Sequence, residues 1–288
     1  MKLKHWQQAL LWIAGTMLTA PAWAGGDRLI GTWGVTQVEG AAGGGLTPWA
    51  LIAGSGSRDQ IGVTAAATAW RSQGGYTLRT AGAAVGFYDT VELSVARWRF
   101  GLSDTVPGQA IDMDVIGAKW RVFGDAVYDQ DRWWPQIALG FQYKHNLDFT
   151  VPQALGAERA EDVDFYASAT KVWLGGVAGR NVLGNLTLRA TRANQFGLLG
   201  FGGDLRSTRS LHAEASLALL LRDDLALGAE WRGKPDNLSA FDEQSAADAF
   251  IAWFPSPHFS ATLAWVDLGN IANKPNQHGW YLSLQGGF

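Results

Sequence analysis

The chain has 288 residues, 23 Lys and Arg against 26 Asp and Glu, a net charge of -3, and no Cys beside 36 Gly and 15 Trp. The missing Cys excludes a disulfide framework and a thiolate metal site. The near-balanced charge, with no basic stripe, excludes nucleic acid as a partner.

The first element is a targeting segment. Lys2 and Lys4 precede an apolar run from Ala9 to Leu18, and Ala22 and Ala24 put small residues where a signal peptidase reads. Residues 1–24 are predicted to be a secretory signal peptide, leaving 25–288 as one domain. The apolar run is too short to span a bilayer, and no later stretch reaches the ~20 apolar residues of a transmembrane helix.

Beyond Ala24 the hydropathy period is two. Ile137, Leu139, Phe141 and Tyr143 alternate with Ala138, Gly140, Gln142 and Lys144, and Leu225, Leu227, Ala229 and Trp231 oppose Gly228, Glu230 and Arg232. In chain order the strands read 28–38, 47–55, 60–71, 76–87, 90–101, 112–123, 135–146, 163–174, 181–193, 211–221, 225–234, 247–254, 258–268 and 278–288. They are longer than the ~5–6 residues usual in soluble sheets, and Trp, Tyr and Phe recur at their ends. Short connections, as at Tyr88-Asp89 and Arg222-Asp223-Asp224, alternate with long ones at 102–111, 147–162, 194–210, 235–246 and 269–277. These features predict an all-β, antiparallel, up-and-down transmembrane β-barrel of 14 strands, with both termini and the short turns in the periplasm. The alternative is 12 strands with an N-terminal plug, because 40–45 is Gly-rich enough to fold inward. The turn at 124–134 is long for the periplasmic side.

The final strand carries an assembly signal. Trp280, Leu282, Leu284 and Phe288 form an outward row ending in an aromatic carboxylate, and Gly286 interrupts it. Such a strand suits β-augmentation onto the outer-membrane barrel assembly machinery.

Five stretches, 38–50, 123–131, 188–203, 230–239 and 279–285, resemble the uncharacterised proteobacterial family known as domain of unknown function 3034. The resemblance covers nearly all of the mature chain. It implies an outer-membrane location and brings neither an activity nor catalytic residues.

Strand parity turns Glu92, Lys119, Arg121, Lys144, Arg189, Glu214, Glu230, Arg232 and Lys234 inward, since Arg or Lys facing lipid at mid-depth costs ~2–4 kcal/mol. They are expected either to line a porin-like pore that biases which small solutes pass, or to pair off and fill the barrel. Phe196, Leu198, Leu199 and Phe201 make the loop 194–210 apolar, as suits an inward constriction, an apolar binding site at the mouth, or a loop packed on its neighbours. The acidic turn 124–134 is expected to meet a periplasmic partner rather than to hold Ca²⁺ through Asp125, Asp129 and Asp131. His145 with Asp148, and His212 with Glu214, are the candidate acid–base pairs for a rim hydrolase. No Gly-x-Ser-x-Gly elbow accompanies them, and the reading is a non-enzyme without cofactor or metal. The functional expectation is a porin-like channel, with an accessory barrel of an envelope assembly as the alternative and the hydrolase a distant third.

Overall fold

The structure, a computed structural model, describes residues 31, 33–272 and 274–288. The signal-peptide reading of 1–24 lies outside them. Two short strands, β1 (Val35–Thr36) and β2 (Ala42–Gly43), pair antiparallel within the barrel. Twelve strands then close on themselves in sequence order: β3 (Ile61–Ser72), β4 (Thr77–Phe87), β5 (Val91–Gly101), β6 (Ala110–Phe123), β7 (Gln136–Asn146), β8 (Glu161–Val177), β9 (Arg180–Thr191), β10 (Ser210–Arg222), β11 (Leu225–Arg232), β12 (Ala246–Ser256), β13 (Phe259–Asp267) and β14 (His278–Gly287). β14 pairs with β3 from Gly279↔Ser72 to Gly287↔Thr64, so no sheet edge is left open.

The alternation of side chains explains why these segments close around a lipid-facing wall. Leu93, Val95, Ile116, Leu186, Leu217 and Leu263 point outward and are exposed, as lipid contact requires. Trp120, Trp173 and Trp253 ring the short-turn end, while Trp231, Trp265 and Trp280 ring the long-loop end. These are the two aromatic girdles of a membrane barrel. Turns at 88–90, 178–179, 223–224 and 257–258 are short. Connections at 102–109, 147–160, 192–209, 233–245 and 268–277 are long and lie at the opposite end. The second of these carries a short helix, α1 (Thr150–Ala154).

The strand count corrects the fourteen-strand expectation to twelve. Neither the described residues of 28–38 nor those of 47–55 contribute a wall strand. Residues 33–55 instead lie inside the barrel and are buried at every position, with no exposed parity for lipid to cover. A wall strand needs one lipid-facing side, and this stretch has none. Its glycines allow the close approach: a Cβ on Gly44 would lie 2.0 Å from Glu230 Oε1, and Gly40 adopts φ +94° with Val95 O against it. The other strand ends fall within three residues of their predicted limits.

Candidate functional site

The candidate site is the lumen, and the inner segment 33–55 occupies its middle. Glu39, the one charged residue of that segment, sits in a cluster of inward side chains from five wall strands. Lys144 of β7 reaches Glu39 at 2.5 Å and Asp164 of β8 at 2.7 Å. Arg232 of β11 holds Glu39 at 2.9 Å and Glu214 of β10 at 3.4 Å. Arg189 of β9 pairs with Glu214 and lies 3.6 Å from both Glu39 and Asp164. Three cations thus meet three carboxylates, all almost wholly buried. Buried charges persist only with such matched partners, and removing one member leaves an uncompensated charge.

A second ion pair grips the segment nearer the short-turn end. Lys119 lies 3.1 Å from Glu92 and donates to the carbonyls of Ala42 at 2.8 Å and Leu51 at 2.7 Å. Glu92 accepts from the amides of Ala42 at 3.1 Å and Ala53 at 2.9 Å. One wall pair therefore holds both arms of the inner turn. On the far side Glu230 accepts from the Leu46 amide and the Thr47 hydroxyl, each at 2.7 Å, and Trp49 Nε1 donates to Ser216 Oγ at 2.9 Å. The Ala50 amide donates to Thr170 Oγ1 at 2.7 Å. The segment is seated on the wall by polar contacts around its circumference.

Of the inward charges expected from parity, Glu92, Lys119, Lys144, Arg189, Glu214, Glu230 and Arg232 all meet the segment or this charge cluster. Arg121 and Lys234 lie elsewhere. Arg121 pairs with Asp89 at 2.5 Å toward the short-turn end, and Lys234 pairs with Glu243 at 2.6 Å beneath the long loops. Glu39 and Asp164 escaped the sequence reading. Asp164 shares the inward parity of Tyr166 and Ser168. Glu39 stood between the predicted strands 28–38 and 47–55, beside the Gly-rich 40–45, where its isolation in a glycine-rich apolar run was the available signal.

The loop 194–203 folds inward. Phe196, Leu198, Leu199 and Phe201 are all buried. Gln195 and Phe196 hold φ of +46° and +64°, a costly conformation for non-glycine residues that surrounding contacts must maintain. Lys144 donates to the Phe196 carbonyl at 3.2 Å, Asn146 Nδ2 donates to the Leu198 carbonyl at 2.7 Å, and the Arg232 guanidinium stacks 4.5 Å from the Phe196 ring centroid. The cations that neutralise Glu39 therefore also hold this loop.

The other candidates are not assembled as chemistry. His145 Nε2 stands 4.0 Å from Glu161, while Asp148 accepts from the Asp112 amide. His212 meets Ser210 Oγ at 2.8 Å, and Glu214 is turned to Arg189. Asp125 accepts from the amides of Val127 and Tyr128 and pairs with Arg58 at 3.0 Å. Burial alone would raise its carboxyl pKa. The amide donors and Arg121 outweigh that and hold it low. Asp129 accepts from the Asp125 amide, and among the described residues no group of three acidic or His side chains is placed to hold a metal ion. Tyr128 and Trp133 of this turn are exposed.

The family model described as protein of unknown function (DUF3034) matches residues 32–285. No curated protein is matched. Among solved structures, the KdgM porin is similar over 78% of this chain and 99% of its own, at 9% identity and a TM-score of 0.51. The NanC porin is similar over 79% and 99%, at 9% identity and a TM-score of 0.48. The outer membrane protein Omp33 of Acinetobacter baumannii is similar over 80% and 98%, at 12% identity and 0.45. At 9% identity the likeness to the KdgM porin is one of fold alone, that of a porin-like barrel.

Proposed function

This chain belongs to the DUF3034 family, and we propose that it is a porin-like conduit for small solutes across the outer membrane, held closed at rest by its own inner segment 33–55. The observation that carries this reading is the seating of Glu39 between Lys144, Arg189 and Arg232. A filled lumen made only for rigidity gains little from buried ions, since well-packed apolar side chains serve as well. A polar seat around one carboxylate instead makes a detachable stopper. The exposed apolar exterior and its aromatic girdles support the membrane location.

The test is conductance of the purified barrel in a planar bilayer. The wild type is expected to open rarely, and Glu39→Gln to open often. The chain has no Cys, so an Ala50→Cys, Thr170→Cys pair can staple the segment to β8 in the Glu39→Gln background. Oxidation should silence the openings and reductant restore them. Folded Glu39→Gln protein that stays silent at every voltage and salt would overturn the conduit. A non-conducting accessory barrel would then be favoured, with the exposed Trp133 and Tyr128 of the turn 124–134 as the surface for a periplasmic partner. Cross-linking from Trp133 in cells tests that second reading: trapping only the assembly machinery removes it.

A further inference from the structure

Above the inner segment, on the long-loop side, the lumen changes character. Inward positions that carry charge on β7 to β11 carry Trp70, Leu78, Trp98, Phe100 and Ile111 on β3 to β6, all buried. An apolar inner face reverses the usual pattern of a barrel wall, whose interior is polar. These side chains surround a cavity of about 310 Å³. Its floor is Val38 and Leu46 of the inner segment together with Phe196 and Leu198 of the inward loop, and its roof is Val106, Leu155 of the segment after α1, Phe241 and Ile271. No Asp, Glu, Lys, Arg or His lines it among the described residues.

We infer that this cavity is a binding site for a small uncharged apolar molecule, an arene or short alkyl compound bearing at most one hydroxyl or carbonyl oxygen. An engineered apolar cavity of ~150 Å³ stays dry and takes benzene. The space here is about twice that and reaches the ~300 Å³ lower limit of ordinary ligand pockets, so a bicyclic arene is the size that fits. A carboxylate or ammonium ligand would lose its hydration without a countercharge, which is prohibitive in such a lining. Two of the lining residues carry a buried polar atom without a hydrogen-bond partner, Trp70 at Nε1 and Tyr281 at its hydroxyl, and the indole N–H is the one that can only donate. Trp70 is 3% exposed, lines the cavity, and its Nε1 has no hydrogen-bond partner. A buried unpaired donor costs stability, and a ligand oxygen would satisfy it. The residue thus sets a preference for a hydroxylated over a bare hydrocarbon.

The site also has a position that fits its contents. It lies between the long loops and the segment proposed as stopper, so a ligand in it touches both Val38 and Leu46 on the segment and Phe196 on the loop that Lys144 and Arg232 hold. This inference deepens the conduit reading by naming its cargo class, and it rests on that reading only for the word cargo. Binding at equilibrium requires no passage, so its failure is separable from a failure to conduct.

The experiment is equilibrium binding of radiolabelled naphthalene, 1-naphthol and 1-naphthoate to the full barrel in lipid nanodiscs, with empty nanodiscs subtracting partition into lipid. Saturable one-to-one binding of naphthalene and 1-naphthol, with no saturable 1-naphthoate, is expected. Leu78→Trp and, independently, Val106→Trp in the roof loop should each weaken binding tenfold or more. Trp70→Phe keeps an aromatic ring, removes the donor and enlarges the cavity, so it should weaken 1-naphthol several-fold relative to naphthalene, whose own change reports the added space. Heat-modifiable migration and circular dichroism verify that each variant is folded. The absence of any saturable neutral ligand overturns the inference. So does naphthalene binding at wild-type strength in whichever of the two filling variants folds, or 1-naphthoate binding as tightly as 1-naphthol.

Discussion

Arg232 and Glu39, 193 positions apart in the chain, meet at two points: Nη1 donates to Oε2 and Nη2 to Oε1, each at 2.9 Å. This parallel geometry is the strong form of a charge-assisted pair, and here it joins a wall strand to the inner segment. Glu39→Gln keeps a hydrogen-bond acceptor and removes the charge, leaving three buried cations against two carboxylates. Loss of one partner from such a cluster costs ~3–5 kcal/mol. The cost should appear as release of the segment, because the wall strands retain their own ladder. Hydrogen exchange of the amides of Ala42, Leu46 and Ala50 is expected to accelerate at least a hundredfold, with little change on β3 to β14. Equal acceleration throughout the barrel would show that Glu39 supports the whole fold rather than the seat of the segment.

Space, as well as charge, specifies that seat. A Cβ at Gly44 would lie 2.0 Å from Glu230 Oε1, whose oxygens already accept from Leu46, Thr47 and Ser216. Gly44→Ala must push either the carboxylate or the segment away, and overpacking of this kind costs ~1–3 kcal/mol. The variant is expected to lower the temperature of heat-modifiable migration and to expose the segment to added protease. A Gly44→Ala barrel with wild-type migration and protease resistance would show that Glu230 can move without loosening the segment.

The strands were legible because a two-residue period with one apolar side is a local property. Leu186 and Leu188 or Trp280 and Leu282 announce the lipid face without knowledge of their neighbours. The error in strand count has the opposite cause. Whether 33–55 lies in the wall or in the lumen depends on which surfaces surround it, and its Val35 and Val38 read like strand residues while packing into the buried apolar core. The inward charges were legible from parity, but their pairing was not. Lys144 finds Glu39 across 105 positions and Asp164 on the adjacent strand, which no spacing rule encodes. The cavity was hidden for the same reason. Trp70, Trp98 and Phe196 become one lining only when the barrel closes and the loop 194–203 turns inward. The apolar run of that loop was visible, and its inward fold was one of three readings.

The C-terminal row makes a prediction about assembly. Trp280, Leu282 and Leu284 face outward, Phe288 stacks on His258 with ring centroids 5.2 Å apart, and its amide and carbonyl pair with Val63. Gly286 leaves a gap in the row, and a Cβ there would meet nothing closer than His258 O at 3.9 Å. If recognition by the assembly machinery proceeds through strand pairing and the outward aromatic row, Phe288→Ala should cut the folded protein in outer-membrane fractions several-fold, and Gly286→Phe should equal or exceed the wild type. Quantifying the heat-modifiable band in those fractions checks both. An unchanged yield of Phe288→Ala would remove this residue from the signal.

The roof of the cavity supplies a pH prediction. Lys274, in the loop after β13, pairs with Asp104 in the loop after β5 and donates to the Gly74 carbonyl at 2.9 Å. It thereby ties together the loops that bring Val106 and Ile271 over the cavity. Donation from Lys274, then from Ser103, holds the Asp104 carboxyl at about 2, below its ordinary 3.8. A carboxyl lowered on folding contributes its share of the tie in full above its ordinary value and loses it as pH falls through the lowered one. The tie should therefore be intact from neutral pH down to about pH 4 and give way between there and about pH 2. A carbon-detected NMR titration of the Asp104 carboxyl is expected to show that low midpoint, and Lys274→Met to return it toward the ordinary value. Asp104→Asn should make naphthalene exchange in and out of the cavity faster at pH 7, by loosening the roof without touching the lining. A midpoint near the ordinary value in the wild type would show that the two loops are not tied in solution, and roof closure would then rest on the apolar contacts of Val106, Leu155, Phe241 and Ile271 alone.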